Sequence, residues 1–181
     1  SEPITPRAVF YRQLEGKNNA ICDPSTEKNV FLELGRAGIA AHCYHYDSQY
    51  RIEEFYKGRT LKSEDVFEAK NLQKIAAQLH KLHRLKPKGL PRKTYFELIQ
   101  EKWKSLAHHS LVTKRHLFPA HEQAMCVELL EILEDKTFQK VRSCFPDSTP
   151  IFCHNDTYHG NIMRLETGEI KLLDFEFSCL N

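Results

Sequence analysis

Short apolar runs separated by polar turns dominate the first third of the chain, which is the pattern expected of strands. Strands are predicted over residues 8–14, 41–46 and 50–56. Between the first two of them, apolar residues recur at helical spacing, so a helix is predicted from residue 26 or 27 to residue 35–38. The buried face of this helix would be formed by Val30, Phe31 and Leu34.

Helical periodicity takes over in the middle of the chain. Helices are predicted over about 63–85, 93–109 and 120–141. Ser63 is expected to cap the first of these helices, because acidic residues follow it and interact favourably with a helix N-terminus. The apolar face of that helix would consist of Val66, Phe67, Leu72, Ile75, Ala76, Leu79 and Leu82.

Two short apolar runs near the C-terminus, 151–153 and 170–173, predict a pair of strands around a polar segment. An order of strands with one helix, then helices, then paired strands favours an α+β fold over a doubly wound sheet. We therefore predict a two-lobed, protein-kinase-like fold. A small, strand-rich and partial N-lobe would cover 1–56, with the hinge at 53–56, and a mainly helical C-lobe would cover 57–181.

Composition and charge narrow the class of protein. Apolar residues make up 41% and charged residues 28% of the 181 residues, as in globular proteins. The net charge of +2 argues against nucleic acid as the main partner. No apolar run reaches the roughly 20 residues of a membrane span, and the N-terminus lacks the pattern of a secretory signal. The six cysteines follow no metal or disulfide pattern and are expected to be reduced thiols, so a cytoplasmic location is predicted.

The polar segment between the last two strands carries the candidate chemistry, with HNDTYHGN at 154–161 and LLDFE at 172–176. Asn161 follows Asp156 by five residues, and Asp174 follows Asn161 by thirteen. In kinase-like phosphotransfer, one carboxylate accepts the hydroxyl proton, while an amide and a second carboxylate hold magnesium on the phosphates of ATP. Asp156 is therefore the candidate catalytic base, and Asn161 and Asp174 are the candidate magnesium ligands. Taken alone, Asp156 could instead cap a turn.

Other charged or polar residues near this pattern have more than one interpretation. Glu176 would bind a second magnesium ion, orient Asp174, or be a solvated carboxylate. His154 is expected to brace the loop backbone rather than to transfer protons. Arg12 lies in an apolar strand, where an unpaired charge is costly, and is expected to reach the ATP phosphates and to pair with Glu27. The alternative for Arg12 is an outward-facing side chain in water.

These residues resemble a known family. FCHND at 152–156, GNI at 160–162 and LDFEFS at 173–178 are similar to the motif of the choline/ethanolamine kinases, which share the kinase-like fold with aminoglycoside phosphotransferases. PRAVFYR at 6–12 resembles the family's strand with the phosphate-contacting Arg, and RIEEF at 51–55 resembles its hinge. The resemblance covers most of the chain, and the C-terminal motif is its most specific part.

The resemblance implies transfer of the γ-phosphoryl group of ATP to the hydroxyl of choline or ethanolamine, a step in phospholipid synthesis, with ATP and Mg²⁺ as cofactors. It implies the roles given above for Asp156, Asn161 and Asp174. It also makes Arg12 and Glu27 the pair that contacts the ATP phosphates. The sequence around Asn161 favours choline over ethanolamine.

The resemblance also implies residues that bind adenine and the amino-alcohol. Glu54, Phe55 and Tyr56 would contact adenine, largely through backbone groups. Tyr158 and Phe177 fall where family members present substrate-pocket residues, and an aromatic ring there suits a quaternary ammonium through cation–π attraction. Both depart from the family's usual residues, since Phe177 replaces a common Tyr and Tyr158 stands where choline kinases often have Gln.

Two segments of the family have no counterpart in this sequence: a glycine-containing strand–turn–strand before the Arg12 strand and a helical region beyond Asn181. The chain is therefore expected to be a fragment of a longer enzyme or a naturally short form. Apolar surface left open in this way would suit a partner chain, such as a second copy in a homodimer. There are two alternatives to a choline/ethanolamine kinase: a catalytically incompetent module that binds nucleotide or a full-length relative, which the missing segments support, and an aminoglycoside-type phosphotransferase.

Overall fold

The chain divides into two compact units, residues 1–92 with 151–181 and residues 93–150. The computed structural model describes residues 8–14, 24–132, 135–144 and 149–181. Every described strand and every predicted site residue lies in the first unit. The predicted boundary between an N-lobe and a C-lobe at residue 56 stays a prediction.

Three antiparallel strands form the first sheet, in the order β1 (Val9–Gln13), β3 (Tyr50–Glu54) and β2 (Cys43–Tyr46). Strands were predicted at all three places. Arg12 of β1 lies directly opposite Arg51 of β3. Residues directly opposite each other in an antiparallel pair project from the same face of the sheet, so these two arginines are neighbours.

Helix α1 spans Pro24–Arg36 and connects β1 to β2. Its predicted apolar face is confirmed, because Val30, Phe31 and Leu34 are all buried. The chain turns directly after the helix at Gly38, whose φ of +69° lies in the left-handed region that glycine adopts without strain.

The helix predicted over 63–85 is divided into α2 (Ser63–Val66) and α3 (Ala69–His83). Glu68, between them, has an extended conformation with ψ of 124°. An extended residue cannot continue the i to i−4 hydrogen-bond pattern, so the first helix ends and a second one begins at Ala69.

Two predictions about this region are wrong. Ser63 is not the N-cap, since Lys62 occupies the cap position and its backbone N–H donates to Asp65 Oδ2 at 2.8 Å. Three members of the helix's predicted apolar face, Phe67, Leu72 and Ala76, are exposed, and Phe67, which lies at the break between the helices, is 76% exposed. Asn71 is buried instead, and its amide donates to the carbonyl oxygen of Asp65 at 2.7 Å.

A second antiparallel sheet joins the middle of the chain to its C-terminal motif, in the order β4 (Gly58–Thr60), β6 (Ile162–Leu165) and β7 (Ile170–Leu172). A two-stranded ladder of β5 (Phe152–Cys153) and β8 (Cys179–Leu180) encloses the polar segment. The sequence predicted β5 and β7 but not the other three strands.

One apolar cluster runs through the first unit and joins α1 and α3 to the second sheet. Phe152 and Phe175 bring this cluster directly beneath the polar segment, since one lies in β5 and the other follows Asp174. The cluster consists of Val30, Phe31, Leu34, Ile39, Ala40, Ala41, Leu61, Ile75, Leu82, Phe152, Ile162, Ile170, Leu172 and Phe175.

The second unit is helical, as predicted. Thr94 begins it with a capping box, in which its hydroxyl and the Glu97 side chain each accept from the other's backbone N–H. Its elements are α4 (Tyr95–Ala107), a π-helical segment (His108–Thr113), a 3₁₀ turn (Arg115–Leu117), α5 (Ala120–Ile132) and α6 (Asp135–Ser143). None of the helices in the described part of the chain is both long enough and apolar enough to cross a membrane.

Candidate active site

His154 anchors the polar segment that follows β5, and its side chain is only 1% exposed. Its Nδ1 accepts from the backbone N–H of Asp156 at 3.3 Å, so the neutral ring carries its proton on Nε2 and donates it to the carbonyl oxygen of Leu173 at 2.9 Å. Burial lowers the pKa of His154, which favours this neutral form. Both ring nitrogens therefore brace the backbone, as the sequence predicted.

Asn155 turns the loop in a conformation that few residues adopt. Its φ of +64° lies in the left-handed region, which Asn tolerates better than most side chains. Its amide donates to the carbonyl oxygen of Phe177 at 3.0 Å and to Cys179 Sγ at 3.4 Å. These bonds tie the loop to the segment that follows Asp174.

Asp156 and Asn161, the predicted base and the predicted metal ligand, are in direct contact. Asn161 Nδ2 lies 2.7 Å from Asp156 Oδ2 and 3.0 Å from the Asp156 carbonyl oxygen. Both partners are acceptors, so the amide must present its nitrogen to them, and its oxygen is the atom that would bind a cation. The backbone carbonyl of Asn161 accepts from the N–H of Leu173 at 2.8 Å, which fixes Asn161 beside the Asp174 segment.

Asp174 follows β7 and also has a left-handed backbone, with φ of +61°. One amide oxygen and one carboxylate are the hard donors that magnesium prefers, so Asn161 and Asp174 fit this ion. Among the described residues, no three His, Cys, Asp or Glu side chains gather as a metal site by themselves. A magnesium ion at Asn161 and Asp174 would take its other ligands from phosphate and water, as it does in other kinase sites.

Arg12 lies on β1 beside Asp174, and its predicted pairing with Glu27 is wrong. Its Nη1 is 3.4 Å from Asp174 Oδ1, and its Nε is 3.8 Å from Glu53 Oε1. The carboxylate of Glu27 instead contacts Arg51 Nη1 at 3.5 Å. The physical reason is that Arg51, directly opposite Arg12 in the sheet, is the arginine that the Glu27 carboxylate contacts.

Arg51 and Glu53 are site residues that the sequence analysis named only as part of a hinge motif. They alternate along β3 and therefore share one face. Arg51 Nε lies 3.2 Å from Glu53 Oε1, and the Arg51 guanidinium stacks on Phe31 at 4.0 Å from the ring centre. Two opposite charges at i and i+2 of a predicted strand, which places them on one face, were the signal that could have revealed them.

A cavity of about 230 Å³ opens beside these charges. The three predicted adenine contacts, Glu54, Phe55 and Tyr56, all line it, and so do Arg12 and Asp174. Burial raises the pKa of the Tyr56 hydroxyl, so the group is neutral at physiological pH. The structure thus brings the predicted hinge residues and one predicted metal ligand to one cavity.

A second cavity of about 430 Å³ lies on the other side of Arg12 and is lined by Glu27 and Glu176. Asp174 and Glu176 therefore line different cavities, with Arg12 between them. Asp156 lines neither of these two cavities, and its connection to Asp174 runs through Asn161 and the backbone of Leu173.

Tyr158 and Phe177, the predicted substrate residues, also lie outside the lining of these two cavities. Tyr158 is 52% exposed, and its ring lies over Gly160 so closely that a Cβ there would be 2.6 Å from Cε2. Phe177 is half-buried, and its carbonyl oxygen holds the amide of Asn155. A side chain at position 160 would therefore displace the exposed ring of Tyr158.

A protein-family model described as choline/ethanolamine kinase matches residues 1–181, the full length of the chain. The chain belongs to the choline/ethanolamine kinase family. The family inferred from the motifs at 152–156, 160–162 and 173–178 is confirmed.

Curated choline/ethanolamine kinases are longer than this chain. The Arabidopsis thaliana protein named Probable choline kinase 2 is 32% identical over 133 residues, which are 72% of this chain and 35% of that protein. Across the curated relatives that it matches, the chain spans between 35% and 49% of their length.

Solved structures of the family have the same fold. A Plasmodium vivax ethanolamine kinase matches with a TM-score of 0.74 and 24% identity, over 95% of this chain and 50% of that one. LicA, a choline kinase of Streptococcus pneumoniae, was solved in complex with AMP and matches with a TM-score of 0.63 and 20% identity, over 96% of this chain and 56% of that one. The predicted kinase-like α+β fold is therefore confirmed.

Proposed function

We propose that this chain carries the phosphotransfer site of a choline/ethanolamine kinase, which transfers the γ-phosphoryl group of ATP to the hydroxyl of a small amino-alcohol. The observation that carries this proposal is the direct contact of Asp156 with Asn161, together with the backbone bond that fixes Asn161 beside Asp174. A phosphotransfer site needs few side chains, but each of them must be held accurately in place. Two left-handed residues and a buried histidine supply that rigidity here.

Each of the three side chains would have one task. Asp156 would accept the proton of the substrate hydroxyl as the oxygen attacks phosphorus, and the bond from the Asn161 amide keeps its carboxylate oriented. The amide oxygen of Asn161 and the carboxylate of Asp174 would hold magnesium. When bound, that ion neutralises charge on the transferred phosphoryl group.

The cavity beside Arg12 is the proposed nucleotide site. Glu54, Phe55 and Tyr56 line it and would contact adenine, while Arg12 at its other side would face the phosphates. LicA, which was solved in complex with AMP, has the same fold, and this supports nucleotide binding by the chain. Glu27, Glu176 and the second cavity would then lie next to the phosphates rather than next to adenine.

Choline and ethanolamine differ by three methyl groups on nitrogen, so the substrate preference would depend on the surroundings of the ammonium group. We propose that Tyr158 and Phe177 contribute aromatic faces to it. A ring attracts both cations, but the quaternary ammonium cannot donate hydrogen bonds and depends more on aromatic contact. Solved and curated relatives include both choline kinases and ethanolamine kinases, and the sequence around Asn161 favours choline.

The product would enter phospholipid synthesis, and the site of action would be the cytoplasm.

The test is ADP release by this chain with Mg²⁺ and ATP, offered choline, ethanolamine or an aminoglycoside in parallel. We expect release above background with choline or ethanolamine, and the larger kcat/KM names the substrate. ADP release with the aminoglycoside alone would indicate an aminoglycoside-type phosphotransferase instead. Binding of ATP without ADP release from any alcohol would support a nucleotide-binding module instead. Asp156→Ala, measured beside the wild type, shows whether any release comes from this site.

A further inference from the structure

A line of alternating charges runs from helix α1 to Asp174. In order, it consists of Glu27, Arg51, Glu53, Arg12 and Asp174, with successive contacts of 3.5, 3.2, 3.8 and 3.4 Å. The line crosses the sheet from α1 to β1 and ends at the candidate metal ligand. Glu27 therefore reaches Arg12 only through two intermediate charges.

Glu53 is the centre of this line. Arg12 and Arg51 lie directly opposite each other on β1 and β3, and like charges in that position repel. A single oxygen, Glu53 Oε1, contacts the Nε atoms of both arginines. Glu53 is 6% exposed and Arg51 4% exposed, so neither charge could be kept there without a partner.

Arg51 is held more firmly than Arg12. Its guanidinium is buried, stacks on the ring of Phe31 at 4.0 Å, and is paired with Glu27. Glu53 is therefore fixed from the Arg51 side, and it presents its oxygen to the half-buried Arg12. With Nε of Arg12 held in this way, the planar guanidinium directs Nη1 towards Asp174.

We propose that Glu53 is a positioning residue that holds the guanidinium of Arg12 against the nucleotide cavity, so that Arg12 binds the phosphates of ATP. This inference rests on the proposed function. It assigns no contact between Glu53 and the nucleotide. The sequence analysis placed Glu27 as the direct partner of Arg12. In the structure Glu27 contacts Arg51, which in turn contacts Glu53.

The experiment is a double-mutant cycle of Arg12→Ala and Glu53→Gln, read as the affinity of this chain for Mg–ATP and for adenosine. Adenosine has no phosphates, so its affinity measures binding in the cavity without the proposed contact between Arg12 and phosphate. We expect each single substitution to weaken ATP binding by about tenfold, within the range of coupling measured between charged groups in one network. Adenosine affinity should change by less than about twofold, and adding Glu53→Gln to Arg12→Ala should cause no further loss of ATP affinity.

Glu53→Gln leaves two opposed arginines with less compensation, so the variant could fail to fold. Glu53→Asp keeps the charge and shortens the side chain by one methylene group, and it carries the same test with a smaller expected loss. Glu166→Gln is the matched control. Glu166 forms an ion pair with Lys57 at 2.8 Å, and this pair is exposed and shares no residue with the charge line. Its ATP affinity should equal that of the wild type.

Three outcomes would overturn the proposal. Glu53 variants that bind ATP normally while Arg12→Ala does not would show that Arg12 needs no positioning. An equal loss of adenosine and ATP affinity would show that Glu53 supports the cavity as a whole. A loss that persists in the Arg12→Ala background would show that Glu53 acts independently of Arg12. Normal ATP binding by Arg12→Ala itself would instead contradict the proposed phosphate site, so the two failures are distinguishable.

Discussion

At the scale of single residues, two backbone angles define the candidate site. Among the described residues, those other than glycine with positive φ are Asn155 and Asp174, which lie at its two ends. A left-handed conformation costs a residue with a side chain about 1–2 kcal/mol. Such strain persists only where surrounding contacts impose it, and here the amide of Asn155 supplies two of them.

Substitutions at Asn155 should separate the cost of the backbone from the value of the amide. Asn155→Gly removes the hydrogen bonds but relieves the backbone, whereas Asn155→Ala removes the bonds and keeps the strain. We expect both to be less stable than the wild type and the alanine variant to be less stable than the glycine variant by about 1 kcal/mol. Urea unfolding measures both differences. An alanine variant at least as stable as the glycine variant would contradict the strained backbone.

His154 should make stability depend on pH. Burial holds its folded-state pKa below the usual value of about 6.5, so the unfolded chain binds the proton more readily. The contribution of the neutral ring is fully present above about pH 6.5 and decreases, by up to about 1.4 kcal/mol per pH unit, as the pH falls towards the folded-state pKa.

The comparison for this prediction is His154→Gln. At pH 7 the variant should be less stable by about 1–3 kcal/mol, because two backbone partners of the ring lose their bonds. The difference in the free energy of unfolding between wild type and variant should become smaller from pH 6.5 to pH 5, because only the wild type loses the contribution of a neutral imidazole. A difference that stays constant or widens over this range would refute the depressed pKa.

At the scale of elements, β4 depends on one glycine. A Cβ at Gly58 would lie 2.3 Å from the carbonyl oxygen of Arg164 and 2.8 Å from the Cα of Leu165. Both atoms belong to the backbone of β6, so the clash cannot be relieved by the movement of a side chain. The absence of a side chain at position 58 is what allows the two strands to approach.

Gly58→Ala should therefore displace β4 from β6. We expect a loss of about 1–3 kcal/mol in the free energy of unfolding, the usual cost of forcing extra volume into a packed position. Thr60→Ala, with an exposed side chain on the same strand, is the control and should change stability by less than about 0.5 kcal/mol. A Gly58→Ala variant as stable as this control would show that the strands can separate at no cost.

Elements whose position follows from the periodicity of apolar residues were predicted from the sequence. Elements that depend on tertiary contacts were missed. The face of α1 followed from the spacing of Val30, Phe31 and Leu34. Strand β4 was missed because its residues, GRT at 58–60, carry no apolar alternation and pair only through their backbone. The break before α3 was missed because a polar residue, Asn71, occupies a buried position and donates to the carbonyl oxygen of Asp65 in α2.

The candidate site was predictable in its residue types but not in its connections. The spacing of Asp156, Asn161 and Asp174 identified the pattern, and the structure brings the first two into contact. The partner of Arg12 could not be deduced, because sequence spacing contains no information on which arginine of the two paired strands contacts Glu27.

At the scale of the whole molecule, one unit contains every part of the proposed site. Residues from β1, from the hinge segment 53–56 and from the loops after β5 and β7 meet within residues 1–92 and 151–181. The chain spans between 35% and 49% of the length of the curated relatives that it matches. The central claim is therefore that this unit holds the chemistry of phosphoryl transfer and not only the nucleotide.

Transfer of label from γ-phosphate-labelled ATP to choline or ethanolamine in a single turnover, by the wild type and by Asp156→Asn, tests that claim most directly. The substitution keeps the size of the side chain and removes its capacity to accept a proton. We predict a labelled phosphorylated amino-alcohol with the wild type, and a rate about 10²–10⁴ times lower with the variant at unchanged ATP affinity. Equal rates in the two proteins, or ATP binding by the wild type with no labelled product, would contradict the account.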